Sequence, residues 1–480
     1  MRSLIWFRRD LRVNDNRALF SAAKASDQLL AIYCVTPDQW RDHHDAPAKI
    51  AFWKENLQIL KKKLAAMNVP LLVLECASFR EIPKLITLVA KVNKCNRLYF
   101  NAEYEVNEKH RDDEVVASFN QSCGEAKCVH DRLLIEPEKV LTGQGKPYTV
   151  FTPFRNNWGK QLFKHDILVL PAPGKFEKFL PEVDFDSFNQ HLFENSGFEK
   201  QADCFSHEFW PCGEDAALAR LEAFADNALV KYDKQRDLPA VEGTSKLSPY
   251  LAAGIISPRQ CLAAILQRQN NRHVLPDFSS SAGTWLNELI WRDFYSHVMT
   301  AFPRISKGLP FRLNTERVKW RHDQSHLQAW KDGLTGFPIV DAAMRQMRQV
   351  GWMHNRLRMI AAMFLSKDML LDWREGERWF MQNLIDGDLA ANNGGWQWSA
   401  STGTDAAPYF RIFNPFNQSK KFDARGEFIK TFCPELGQVS ARALHDPALL
   451  QAEIRKFKID YPAPVVDHSK ARAQAMAAFK

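Results

Sequence analysis

The chain has 480 residues, 45% of them hydrophobic and 25% charged, which is soluble-globular usage with length for two to four domains. No run approaches the 18 or so apolar residues needed to span a bilayer, and the N-terminal LIWF (4–7) is too short for a signal segment, so a cytoplasmic protein is expected. Sixty-four Lys and Arg against 56 Asp and Glu leave a charge of +8, which permits a polyanionic partner without requiring one.

Residues 1–137 alternate short apolar runs with longer amphipathic stretches. The runs 3–7, 29–35, 71–76, 97–102 and 132–137 predict strands, and 17–25, 47–67, 79–93 and 105–122 predict helices. This βαβ rhythm predicts an α/β domain with a doubly wound, mostly parallel sheet and any ligand at the carboxyl ends of the strands. No G-x-G-x-x-G follows the first strand; the loop reads FRRDLRVNDN, so a dinucleotide is not expected in this half. The nine cysteines are scattered, as reduced thiols would be. The string Cys123, Cys128, His130 lacks a fourth ligand, so no metal site is expected.

Residues 138–205 are richer in Pro, Gly and Phe without sustained periodicity, which predicts a surface linker; TPFRNNW (152–158), near its start, carries no assignable chemistry. From 206 to 480 the pattern is helical, with three-and-four spacing over 217–232, 257–269, 283–302, 338–350 and 353–370, and a last helix over 470–480. This predicts a second, all-α domain. Arg345, Arg348, Arg356, Arg358, Lys367, Arg374 and Arg378 crowd one helical region and suggest a phosphate-tracking face.

The densest chemistry lies in DGDLAANNGGWQWSASTGTDAAPYFR (386–411). Asp386 and Asp388 can accept hydrogen bonds from a cofactor, Asn392 can face a ring nitrogen, and the paired glycines let the backbone come close. On the 283–302 helix, Trp285, Glu288 and Arg292 recur at three and four and share a face with Trp291 at its edge; a core face with a Glu288–Arg292 pair is the plain alternative. Asn355 and Met359 are four apart on one helix face. Nine of the 14 tryptophans lie between 285 and 398.

These blocks, with WFRRDLRVNDN (6–16), QRDLPAVEGTSKLSPYLAAGIISPRQ (235–260), WLNELIWRDFY (285–295) and GWMHNRLRM (351–359), resemble the DNA photolyase and cryptochrome family over nearly the whole chain. The resemblance implies an antenna domain over 1–137, a linker over 138–205 and a helical FAD-binding domain over 206–480. It implies light-driven repair of cyclobutane pyrimidine dimers (CPDs) in DNA, with reduced FAD as cofactor. A signalling photoreceptor without repair and a (6-4) photoproduct enzyme are the alternatives. Histidines stand at the positions of Asn355 and Met359 in (6-4) enzymes, and Asp or Cys is common at the position of Asn392 in plant and animal photoreceptors.

By the same resemblance, FAD is held by Tyr232, Thr244, Ser245, Lys246, Leu247, Ser248, Trp285, Arg292, Arg358, Asp386, Gly387, Asp388 and Asn392. Glu288, Trp291, Asn355, Met359 and Trp398 receive the lesion, and Trp396, Trp373 and Trp320 relay electrons from the surface. Damaged DNA is contacted by Arg236, Glu288, Trp291, Arg292, Tyr295, Asn355, Arg356 and Gln418. His43, Asn107, Glu108 and Lys307 match the branch with a 5,10-methenyltetrahydrofolate antenna, with a deazaflavin as the alternative because Ser306 stands where Cys is usual. No obligate protein partner is expected, and the protein is expected to be monomeric.

Overall fold

The computed structural model describes residues 1–165, 167–177, 205–269, 271–405 and 411–479. Five strands, β1 (Arg2–Phe7), β2 (Gln28–Val35), β3 (Leu71–Glu75), β4 (Arg97–Asn101) and β5 (Glu125–Val129), form one sheet in the order β3-β2-β1-β4-β5, every pairing parallel. Between them run α1 (Arg17–Lys24), α2 (Pro37–Asp42), α3 (Pro47–Ala66), α4 (Ile82–Val92) and α5 (Val106–Ser122). Then follow α6 (Phe151–Gln161), α7 (Glu214–Asn227), α8 (Tyr232–Gln235), α9 (Ser248–Ala252), α10 (Pro258–Leu266) and α11 (Ser281–Ala301). The remaining helices used below are α12 (Gln324–Asp332), α13 (Pro338–Val350), α14 (Asn355–Met363), α15 (Trp373–Asn383), α16 (Leu389–Ala400) and α17 (Pro415–Phe422), with a terminal helix at His468–Ala478.

The chain divides into two compact units, 1–227 with 245–303 and 228–244 with 304–480. This cut follows packing, whereas the boundaries at 137 and 205 follow sequence rhythm. Among the described residues no helix is long and apolar enough to cross a membrane.

In the first unit the two-residue period of the strands sends Leu4, Trp6, Leu30, Ile32, Leu72, Leu74, Leu98 and Phe100 into one core with Ile86 and Val89 of α4 and Val115 and Phe119 of α5. In the second unit α12 to α16 contribute Trp330, Met344, Met347, Leu357, Phe380 and Trp396 to another.

Three expectations are corrected. The fifth strand is the polar Glu125–Val129, not 132–137; Leu133, Leu134 and Ile135 are apolar because this loop is buried, with the Leu134 and Ile135 amides donating to Asp293 at 3.1 and 3.4 Å. The 138–205 stretch contains α6, while its 178–204 part lies outside the described residues. The 353–370 helix ends at Met363 and passes into a π-turn, Phe364–Asp368, in which the Lys367 ammonium is buried against the Ala400 carbonyl at 3.0 Å.

Asp293, fully buried on α11, also accepts from the Trp158 indole at 3.1 Å. Burial nonetheless outweighs these three hydrogen bonds and pushes its carboxyl up to about 6. The folded state therefore holds a proton that the unfolded chain releases near pH 4, and stability from this group falls as pH rises from about 4 to about 6. Asp293→Asn should flatten that part of the stability profile in denaturant unfolding. A difference profile that does not change between pH 4 and 6 would contradict the assignment.

Candidate functional site

The richest cluster is built where α15 and α16 pack together. Asp388 caps α16 by accepting from the Ala391 amide at 3.0 Å, which starts the helix at Leu389. Asn392 then donates its side-chain amide to the Glu377 carbonyl at 3.0 Å, and Asn393 donates to the Glu377 carboxyl at 2.8 Å. Burial pushes Glu377 up to about 7, against the pull of Asn393 and Arg374. Because the Asn392 amide nitrogen is engaged by the main chain, its oxygen is oriented as an acceptor. Gly395, one turn on, would place a Cβ within 4 Å of no atom.

Trp396 and Trp398 are two apart on α16 and point to opposite sides, so one is buried and the other half-buried. The Trp396 ring lies against Gly376 of α15, where a Cβ would come within 2.0 Å of it. Phe380 at 4.9 Å and Trp330 at 6.0 Å meet the same ring edge-on. Trp373 is buried in the same core, and Trp320 packs at its margin with its ring 5.8 Å from that of Phe479.

Asp386 is buried and fixed by both terminal contacts of one Arg358 nitrogen, at 2.7 and 3.0 Å, while the Arg358 Nε donates to the Met353 carbonyl at 2.8 Å. Gly387 follows in the turn, its amide on the Leu384 carbonyl at 3.1 Å. Asn355 opens α14 at the surface with Met359 one turn on, and the Met359 sulfur is 3.8 Å from an Arg356 nitrogen. Arg356 is engaged by Asp237 at 2.8 Å and lies 4.4 Å over the Phe422 ring; Arg236 reaches the same carboxylate at 3.8 Å and covers Tyr232 at 5.5 Å. Gln418 lies half-buried on α17.

The expected phosphate-tracking face is not assembled. Arg345 pairs with Glu435, Arg348 with Asp332, Arg358 with Asp386, Arg374 with Glu316 and Arg378 with Glu375, and Lys367 is buried. Sequence proximity gathers these cations, but folding gives five of them separate carboxylate partners and buries Lys367. Of the seven, Arg356 alone shares a carboxylate with Arg236, the other arginine expected at DNA.

In the first unit, Trp285, Glu288, Trp291, Arg292 and Tyr295 follow one another along α11. Trp285 is buried against Phe224 at 4.9 Å, and Arg292 donates to the Arg132 carbonyl at 2.5 Å. Glu288, Trp291 and Tyr295 are half-buried. Ser245, Lys246, Leu247 and Ser248 lead into α9, with Lys246 in the left-handed region at φ 49°. Thr244 closes the 228–244 segment of the other unit.

The carboxyl ends of the strands bring His43, Asn107 and Glu108 together. The His43 Nε2 is 3.0 Å from the Asn107 amide, and its Nδ1 is 3.6 Å from Glu108. Burial and then Glu105 push the Glu108 carboxyl up to about 7, and burial pushes His43 down. Beside them the FRRDLR loop forms a closed ionic lattice: Arg9 binds Glu103 and Glu105, Arg111 binds Glu103 and Asp112, and Arg132 binds Glu105. Lys307 is an exposed residue of the second unit.

Three residues escaped the sequence reading. Glu377 and Asp237 meet their partners only through packing. His354 lies inside GWMHNRLRM and caps α14; its Nδ1 accepts from the Arg356 amide at 3.2 Å, so Nε2 carries the proton, buried and without a partner. Burial pushes this ring down to about 4, which keeps it neutral.

A family model described as DNA photolyase matches residues 3–174, and one described as the FAD binding domain of DNA photolyase matches 285–480. The deoxyribodipyrimidine photo-lyase of Escherichia coli K12 is 46% identical, the alignment covering 99% of this chain and 98% of that one. The chain belongs to the DNA photolyase family. Among solved structures of the family, a class III photolyase from Agrobacterium tumefaciens superposes with TM-score 0.81 and 32% identity, covering 99% of this chain and 96% of that one. A Synechocystis cryptochrome gives TM-score 0.82 at 28% identity, covering 100% and 99%. The chemistry of these residues is compatible with a flavin, which offers both donors and acceptors: a buried, clamped carboxylate at Asp386, an amide oxygen at Asn392, a neutral buried imidazole N–H at His354 and open space beside Gly395.

The close approach of α15 and α16 is testable by itself. Gly376→Ala should force the Trp396 ring out of place and lower the urea midpoint, at a cost of about 1–3 kcal/mol typical of overpacking. An unchanged midpoint would mean the two helices can separate freely.

Proposed function

We propose that this chain repairs cyclobutane pyrimidine dimers in DNA by light-driven electron transfer from reduced FAD. The full-length 46% identity to a deoxyribodipyrimidine photo-lyase carries this reading, with the FAD-binding match of the helical half beside it. Bound, the flavin supplies an electron on excitation and takes it back once the ring of the dimer has opened, so net redox change is zero. The chain's own residues hold, orient and stabilise.

Asp386, Gly387, Asp388 and Asn392, with Tyr232, Thr244, Ser245, Lys246, Leu247, Ser248, Trp285, Arg292 and Arg358, are proposed to hold FAD. The Asn392 oxygen accepts from a flavin N–H, a role its tie to the Glu377 carbonyl prepares. Glu288 donates a hydrogen bond to a dimer carbonyl as it gains negative charge, with Trp291 and Trp398 as apolar walls and Asn355 and Met359 at the lesion. Arg236 and Arg356 contact phosphate, joined at the DNA surface by Arg292, Tyr295 and Gln418. Trp396, Trp373 and Trp320 carry electrons inward from the surface. His43, Asn107 and Glu108, with Lys307, take the folate antenna. The protein is proposed to be a cytoplasmic monomer.

Glu288→Ala should keep its flavin and lose repair yield under flavin-exciting light, by a factor of about 10²–10³ if it acts on the charged state alone. Undiminished yield would remove this residue from the chemistry.

Trp396→Phe should abolish photoreduction of oxidised flavin while repair with prereduced enzyme survives, because phenylalanine is far harder to oxidise and nearly fills the site. Transient absorption after a blue flash, beside a repair assay, separates the two. Normal photoreduction would move the relay to other indoles.

A further inference from the structure

The TPFRNNW motif at 152–158 has no role in the reading above. The structure carries it on α6, whose Phe151, Phe154 and Trp158 recur at three and four, are all buried, and all face α11. Trp158 donates its indole N–H to Asp293, and Phe154 meets Phe294 at 5.2 Å and His297 at 5.0 Å. Phe151, the residue that opens α6, lies flat on Trp291, with ring centroids 3.6 Å apart and planes 3° apart.

Two further rings meet Trp291. Phe294 stands edge-on at 5.6 Å and 80°, and Tyr295 lies tilted at 5.4 Å and 32°. Phe151 itself meets Phe294 at 5.8 Å and 77°, so the three phenyl rings and the indole form one cluster spanning α6 and α11. Two π-systems prefer an offset or edge-to-face arrangement over a near-parallel sandwich. Their alignment is therefore set by how α6 seats on α11, through Trp158 and Phe154, and not by attraction between the two rings.

We propose that Phe151 is a positioning residue for lesion recognition: it covers one face of the Trp291 indole and sets its rotamer before DNA arrives, leaving the indole's other face for a pyrimidine. TPFRNNW is then the segment that seats this support. An indole fixed in the free protein loses no rotamer freedom on binding, a saving of about three- to tenfold in affinity for one large side chain. Undamaged DNA, whose bases stay stacked, does not use that face and gains nothing. The inference rests on the proposed role of Trp291 at the lesion.

The test uses flavin-loaded protein in the dark, with dissociation constants for a CPD oligonucleotide and for the undamaged oligonucleotide of the same sequence. Phe151→Leu and Phe151→Met keep apolar volume without a flat ring, and Phe151→Tyr keeps the ring; flavin content and thermal midpoint report folding. Leu and Met should each weaken lesion binding about three- to tenfold, leave undamaged DNA unchanged, and add no further loss to Trp291→Ala, while Tyr should bind as the native protein does. Equal weakening for both DNAs, or the same loss from Leu in the Trp291→Ala background, overturns the positioning role. If Trp291→Ala alone leaves lesion binding intact, it is the assignment of Trp291 that fails.

Discussion

The arrangement of the second unit depends on how closely α15 and α16 approach. Gly376 has no side chain where the Trp396 ring lies, and the two amides Asn392 and Asn393 both end on Glu377. Once that contact is made, the rotation of α16 is fixed. Trp396 turns into the core, Trp398 turns away, and the Asn392 oxygen is left as an acceptor. Asp388 sets the start of the helix, and Arg358 holds Asp386 in the turn before it. A stretch of 13 residues thus presents an acid, an amide and two indoles in a single orientation, which is the preorganisation that a cofactor-driven reaction asks of its protein.

The first unit meets the same demand with charge. Its sheet reverses strand order between β1 and β4, where an α/β fold ordinarily opens a binding crevice. Here that region holds the largely buried lattice of Arg9, Glu103, Glu105, Arg111, Asp112 and Arg132, whose carboxylates and guanidiniums pair with one another. Such groups persist in the interior only when paired. The polar cluster of His43, Asn107 and Glu108 stands at the margin of this lattice, where burial pushes the Glu108 carboxyl up to about 7.

Much of this was legible in the sequence. The helix over 338–350 is found with those bounds, since its apolar positions keep helical spacing, Pro338 starts it and Gly351 stops it in the left-handed conformation. The first four strands read as apolar runs because both faces of a parallel sheet are covered. The fifth did not, because Glu125–Val129 is an exposed edge strand with polar residues, and the apolar 132–137 run next to it is buried loop. Asp386, Asp388 and Asn392 were visible because one turn and one helix carry them. Glu377 and Asp237 were not, because their partners are brought by folding, and His354 was not, because only folding buries its ring. The crowd of cations from 345 to 378 misled for the converse reason: adjacency in sequence says nothing of the carboxylate each one meets.

The central claim is that these residues serve repair of one lesion type. Its most direct measurement is blue-light irradiation of the prereduced protein with an oligonucleotide carrying one CPD, beside a matched oligonucleotide carrying one (6-4) photoproduct, with restored bases counted by chromatography. Restoration of the CPD strand in the light and not in the dark, with the (6-4) strand untouched, is the predicted result. A flavin-loaded protein that restores neither strand, or restores the (6-4) strand, would contradict the account.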